Sequence, residues 1–149
     1  MSLATWIKDF VSQRKNIHGR ILSIKSYSDV TYVYLALENR SRLPIAVTSI
    51  DLVLNQSTYT CTALPTLVSS TTRRCKDTIL KYAEEYSTSL PIQIQQLGAA
   101  SILALFENMN QLPPDDATTL MLVIYTNRGK PVQMTLELPE GWAFQRRTP

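Results

Sequence analysis

From Gly19 onward the apolar residues of the chain recur at every second position, in short runs divided by polar turns. Side chains of an extended strand alternate between its two faces, so each run predicts a strand with one buried face. Leu22 and Ile24 begin the first run, which ends near Ser28-Asp29. Val33, Leu35 and Leu37 then alternate with Tyr32, Tyr34 and Glu38, which predicts a half-buried strand with aromatic residues on its second face. Polar Asn39-Arg40-Ser41-Arg42 reads as a turn, and Pro44 restricts the approach to the next strand.

That next strand changes step part-way. In PIAVTSIDLVL, Ile45 and Val47 occupy odd positions, whereas Ile50, Leu52 and Leu54 occupy even ones. A strand cannot move its buried set to the other face without an extra residue in its ladder. A bulge near Thr48-Ser49 is expected, because no Gly or Pro interrupts the run. The alternative is one strand ending at Val47 and a second starting at Ile50.

Asn55-Gln56-Ser57 is the following turn, after which Tyr59, Cys61 and Ala63 continue the alternation to Pro65. Residues 66–78, rich in Ser, Thr and Arg, read as a loop. Residues 75–86 fit either helix or strand, and 79–94 are taken as mostly extended. Gln96-Leu97-Gly98 turns the chain into an apolar strand from Ile102 to Phe106, and Pro113-Pro114-Asp115-Asp116 breaks it again. Leu120, Leu122 and Ile124 lead into Asn127-Arg128-Gly129-Lys130, and Val132, Met134, Leu136 and Leu138 lead out, a β-hairpin with Gly supplying positive φ.

The amino-terminal stretch has the other period. Leu3, Trp6, Ile7, Phe10 and Val11 share one face of a helix over 3–14, with Lys8, Asp9 and Arg14 elsewhere and His18-Gly19 as its stop. Burying Trp6, Ile7, Phe10 and Val11 contributes on the order of 6–10 kcal/mol before ordering costs. The helix therefore docks on its own domain, on a partner or second copy, or on a membrane interface. The expected organisation is a helix over 1–18 and a β-sandwich over 19–149. The fold class is all-β: seven or eight strands in an antiparallel two-sheet sandwich with a leading amphipathic helix. The Cys–Trp–Cys core of antibody domains is missing, since Trp6 lies in the helix and Trp142 beyond the last strand.

Composition narrows the chemistry. At 149 residues, 44% hydrophobic and 18% charged, the chain is long and apolar enough to bury one core. No run reaches the ~20 apolar residues of a membrane-spanning helix, and Lys8 and Asp9 interrupt what would be a signal peptide's apolar core. The expected compartment is the cytoplasm. A net charge of +3 is mild. Cys61 and Cys75 are expected to be free thiols in a reducing compartment and bonded if the chain is exported.

With two cysteines, Cys61 and Cys75, and one histidine, His18, metal and nucleophile chemistry has little to work with. There is no G-x-S-x-G elbow and no Gly-rich phosphate loop. Glu84-Glu85 and Asp115-Asp116 are neighbours whose side chains diverge on a strand or turn, and calcium at 115–116 lacks obvious further oxygen ligands. No cofactor, metal or catalytic residue is assigned. An enzyme would need Asp115, Asp116, Glu84 and His18 to line one pocket. Arg73, Arg74 and Lys76, backed by Lys81, form the densest basic cluster, which reads as a solvated loop or, with Tyr82 or Tyr86 stacking on bases, as a nucleic-acid contact.

At NRSRLPIAVTSIDLVL, LPIQIQQLGAASILALF and TNRGKPVQMTLELPE the chain resembles immunoglobulin-like sandwich domains of uncharacterised bacterial proteins, some from phages or other mobile elements. The shared pattern here is Asn39, Pro44 and Leu97-Gly98, over most of residues 20–139. The resemblance implies the fold and no catalytic residues. The expected function is a non-enzymatic protein-interaction module, or else a structural or accessory subunit of a phage-like or cell-surface assembly. Loops at sandwich ends commonly carry recognition, so the expected contact residues are Asn39, Arg40 and Arg42 in one turn, Asn127, Arg128 and Lys130 in the hairpin tip, and Arg73, Arg74 and Lys76 in the 66–78 segment. A protein partner is expected, and self-association is an open alternative.

Overall fold

In the computed structural model, residues 3–4, 15–76 and 78–142 are described, with backbone alone at 71, 73, 74 and 79–82. The period-two runs are strands: β1 (Ile17–Tyr27), β2 (Val30–Asn39), β3 (Ile45–Leu54), β4 (Ser57–Thr60), β5 (Leu67–Cys75), β6 (Thr78–Tyr86), β7 (Ile92–Ile94), β8 (Ala99–Phe106), β9 (Thr119–Thr126) and β10 (Val132–Glu137). β2 lies between β1 and β8 in a three-stranded sheet, and a five-stranded sheet runs β10-β9-β3-β4 with β7 also paired to β3. β5 and β6 form a separate ribbon. Every pairing is antiparallel. The chain is all-β over the described residues, with ten strands rather than seven or eight.

The inward faces of the two larger sheets share one core. Ile21, Ile24, Val33, Leu35, Leu37, Ile102 and Phe106 from the first pack in a single cluster with Ile45, Val47, Ile50, Leu52, Leu122, Ile124 and Met134 from the second. Each such side chain contributes roughly 1.5–3 kcal/mol on full burial. Trp142 closes the core beyond β10, its indole Nε1 donating to Ala117 O at 2.9 Å.

The step change in β3 is a bulge. Its register with β9 shifts between Val47 and Ser49, leaving Thr48 exposed, so Ile45 and Val47 on one side and Ile50, Leu52 and Leu54 on the other all reach the core. A second bulge lies between Ile21 and Ser23 of β1. It turns Leu22 outward while Ile21 and Ile24 are buried.

Three expectations are corrected. His18-Gly19 does not stop a helix, because it lies inside β1; Gly19 faces the core so closely that a Cβ there would stand 2.9 Å from Met134 Sδ. Residues 66–78 are not a loop but chiefly β5, paired with β6. Its period is hidden because the ribbon joins neither larger sheet and its sequence puts Ser, Thr and Arg at both alternating positions; of its described side chains Leu67, Ser69, Ser70, Thr72 and Cys75 are exposed. The helix expected over 3–14, with Trp6, Ile7, Phe10 and Val11, lies outside the described residues apart from 3–4, and Ile17 and His18 belong to β1.

The third correction is Asn39, expected at a contact surface and found buried at 1% exposure. Its Nδ2 donates to Leu43 O at 2.8 Å and lies 3.2 Å from both Ile94 O and Gln95 O. Its Oδ1 accepts from Ser41 N at 3.0 Å and Ser41 Oγ at 2.6 Å, and its backbone N donates to Gly98 O at 2.8 Å. One amide thus ties the end of β2, in one sheet, to β7 and the approach to β3, in the other. Truncation strands several polar groups away from water, which costs more than the bonds themselves contribute. Asn39→Ala is expected to lower unfolding stability by about 2–3 kcal/mol, and Arg42→Ala by less than about 0.5 kcal/mol, in urea unfolding followed by tryptophan fluorescence.

Candidate interaction surface at one end of the sandwich

The connections β2–β3, β7–β8 and β9–β10 lie at the same end as the start of β1. Asn127 N donates to Ala46 O at 3.0 Å and Asn127 Oδ1 accepts from Ala46 N at 2.9 Å, which fixes the β9–β10 tip beside the start of β3. Arg128 Nη1 donates to Leu43 O at 3.4 Å, while Arg40 N donates to Asn16 O at 2.8 Å. Gly129 takes φ +67°, the left-handed conformation the sequence pattern predicts for this tip. Two of the three expected contact segments, Arg40–Arg42 and Asn127–Lys130, therefore form one surface.

Lys15 completes it. Its Nζ donates to Arg128 O at 2.7 Å and to Lys130 O, and lies 3.4 Å from Thr126 Oγ1. Burial, and then repulsion from Arg128, push the Lys15 ammonium below its ordinary range. Arg40, Arg42 and Lys130 are exposed and Arg128 is half-buried, so the end is strongly cationic.

Beside it, the outer face of the first sheet holds an open cleft of about 330 Å³ lined by His18, Gly19, Arg20, Ala36, Glu38 and Arg40. The β1–β2 register sets His18 opposite Glu38 and Arg20 opposite Ala36. Arg40 Nε and Nη2 both lie 3.0 Å from Glu38 Oε2, and the two side chains are 56% and 53% exposed. Water screens such a pair, so it holds the geometry loosely.

The third segment goes elsewhere. Arg73 and Arg74 are on β5, their side chains outside the description, and Lys76 is exposed in the β5–β6 turn with φ +55°. The ribbon's base meets the other half of the outer face, where Val68, Ser69 and Ser70 face Lys25, Tyr27 and Tyr32 across a groove. The connecting segments on either side of it bond to the β8 edge: Thr62 N donates to Leu105 O and Thr88 N to Leu103 O, each at 2.9 Å. Leu103 and Leu105 of β8 are buried.

The residues an enzyme reading would need do not share a pocket. Asp115 and Asp116 line a recess with Glu140 and Trp142, His18 lines the cleft beside Glu38, and Glu84 is on β6, where it accepts from the Tyr86 hydroxyl. Among the described residues no three His, Cys, Asp or Glu side chains are placed to hold a metal ion. Nor is any helix among them long and apolar enough to cross a membrane. The sequence reading missed Lys15, Arg20, Glu38 and His18 as surface partners. The alternation of Ile17, Gly19 and Ile21 with exposed His18 and Arg20 was the available signal, masked by reading His18-Gly19 as a helix stop.

No protein-family model matches the chain, and comparison with curated proteins returns no match. Solved structures of the GH20 exo β-N-acetylglucosaminidase from Vibrio harveyi, one with N-acetylglucosamine and one of an inactive mutant, align at a TM-score of 0.30 and 9% identity. Each alignment covers 84% of this chain and 18% of that enzyme. This likeness is too slight to carry a functional argument.

Both cysteines are free, Cys61 buried and Cys75 exposed. Burial, its largest influence, pushes the Cys61 thiol up and keeps it protonated and shielded. At pH 8 a thiol-disulfide reagent is expected to label Cys75 quickly and Cys61 only after unfolding; peptide mapping of the labelled sites checks this.

Proposed function

We propose that this chain is a non-enzymatic protein-interaction module on an immunoglobulin-like sandwich, contacting its partner through the basic end. The observation that carries this reading is the meeting of the 40–43 turn with the 127–130 tip on a rigid hydrogen-bonded frame. Recognition loops work best when a scaffold fixes them before binding, since less ordering remains to oppose association. The immunoglobulin-like assignment is supported by two antiparallel sheets on one core and by the Asn39, Pro44 and Leu97-Gly98 pattern, whose ends Asn39 joins.

The β5–β6 ribbon favours a second reading, an accessory subunit of a larger assembly. A two-stranded ribbon is marginal by itself in water, and this one exposes Leu67 (48%) and Tyr86 (49%) at its base.

Arg42→Glu with Lys130→Glu tests the first reading. A partner captured by the wild-type chain from its native organism, identified and then purified, is expected to bind the double variant at least about tenfold more weakly, mainly through slower association. Equal affinity removes the basic end from the contact. Sedimentation of the purified chain tests the second reading: a concentration-dependent oligomer supports the assembly subunit, and a monomer at high concentration argues against self-assembly.

A further inference from the structure

We infer that the cleft on the outer face of β1 and β2 receives a carboxylate side chain from an acidic protein partner, with Arg20 and Arg40 as its guanidinium ligands. The inference rests on the protein-binding reading above and names the chemistry of the group recognised. Its basis is the arrangement of two adjacent rungs. His18 faces Glu38 on one, and Arg20 faces Ala36 on the next. Ala36 offers only a methyl group on this face, so the floor stays low while His18, Arg20, Glu38 and Arg40 stand around it.

Among the described residues the charges in this cleft do not balance. Glu38 is the one carboxylate of that set lining it, and both of its described contacts go to Arg40 through a single oxygen, Oε2. Among the described residues Arg20 has no carboxylate within salt-bridge distance. A planar guanidinium presents paired donors that match the two oxygens of a carboxylate, and Arg40 already turns two donors, Nε and Nη2, to one oxygen of Glu38. Because the Arg40–Glu38 pair is exposed, an incoming carboxylate can exchange with it. Arg42 and Lys130 lie at the neighbouring end and attract an acidic segment towards the cleft.

The same features favour an acidic protein over a nucleic acid. Among the described residues no Phe, Tyr or Trp lines the cleft to stack on a base, and its volume of about 330 Å³ suits one side chain.

Titrating the full chain with a hexaglutamate peptide, and with hexaglutamine as control, tests the assignment by NMR of the arginine Nε–H groups. Saturable shifts at Arg20 and Arg40 are expected with hexaglutamate alone. Arg20→Gln and Arg40→Gln should each weaken binding about tenfold, and Glu38→Gln should strengthen it by removing the competing carboxylate. All of these positions are at the surface, so the variants should remain folded, as circular dichroism would verify. Shifts confined to other residues, or affinity indifferent to both arginine variants, would overturn the inference. So would tighter binding of an oligothymidylate through the same two arginines, which would assign the cleft to nucleic acid. If hexaglutamate misses the cleft while partner capture still depends on Arg42 and Lys130, the cleft assignment alone fails. If hexaglutamate binds there while partner capture ignores charge reversal, the protein-binding reading fails instead.

Discussion

The end of the sandwich that carries the candidate site depends on one buried side-chain amide. Asn39 leaves β2, in the three-stranded sheet, and its Nδ2 reaches carbonyls of Leu43, Ile94 and Gln95 beside the other sheet. Hydrophobic packing holds two layers together but is non-directional, so it does not set how their ends align. Hydrogen bonds in a buried setting are directional and costly to leave unmade, which makes this joint specific. With Asn39 in place the β2–β3 turn has a defined course, and Arg40 and Arg42 are presented on its outer side.

The two bulges solve a related problem within the strands. β3 has neighbours on both sides and serves the core along its whole length, yet its apolar residues occupy two phases. One added residue at Thr48 reconciles these facts, and the extra residue is polar and exposed. In β1 the added residue is Leu22, which the bulge turns to the surface at 43% exposure. The same strand then directs His18 and Arg20 outward beside Ala36 and Glu38, so the geometry that fills the core also shapes the cleft.

Charge accumulates at this end because of backbone geometry rather than sequence proximity. Lys15, Arg40 and Arg128 are far apart in the chain, and carbonyls of the tip bind the Lys15 ammonium. Those carbonyls favour the charged ammonium, while burial and then repulsion from Arg128 hold it below its ordinary range. The β5–β6 ribbon is built differently: its strands pair only with each other, and its sequence keeps polar groups on both faces.

Much of the fold was legible in the alternation itself. Val33, Leu35 and Leu37, or Leu120, Leu122 and Ile124, identify their buried face because a strand's period is two. The change of step between Val47 and Ile50 marked the bulge, and Gly129 marked a tip that needs positive φ. The ribbon's β5 was not legible, since its run of Ser, Thr and Arg shows no apolar alternation. Asn39 read as a surface turn residue, because whether a polar side chain is solvated or clasped depends on carbonyls more than fifty residues away. The cleft needed the β1–β2 register to bring His18 to Glu38 and Arg20 to Ala36. The sequence by itself determined which residues avoid water and where the chain turns, because both follow from local chemistry; tertiary structure alone decided which turns meet and which charges share a surface, because those depend on register and on distant backbone partners.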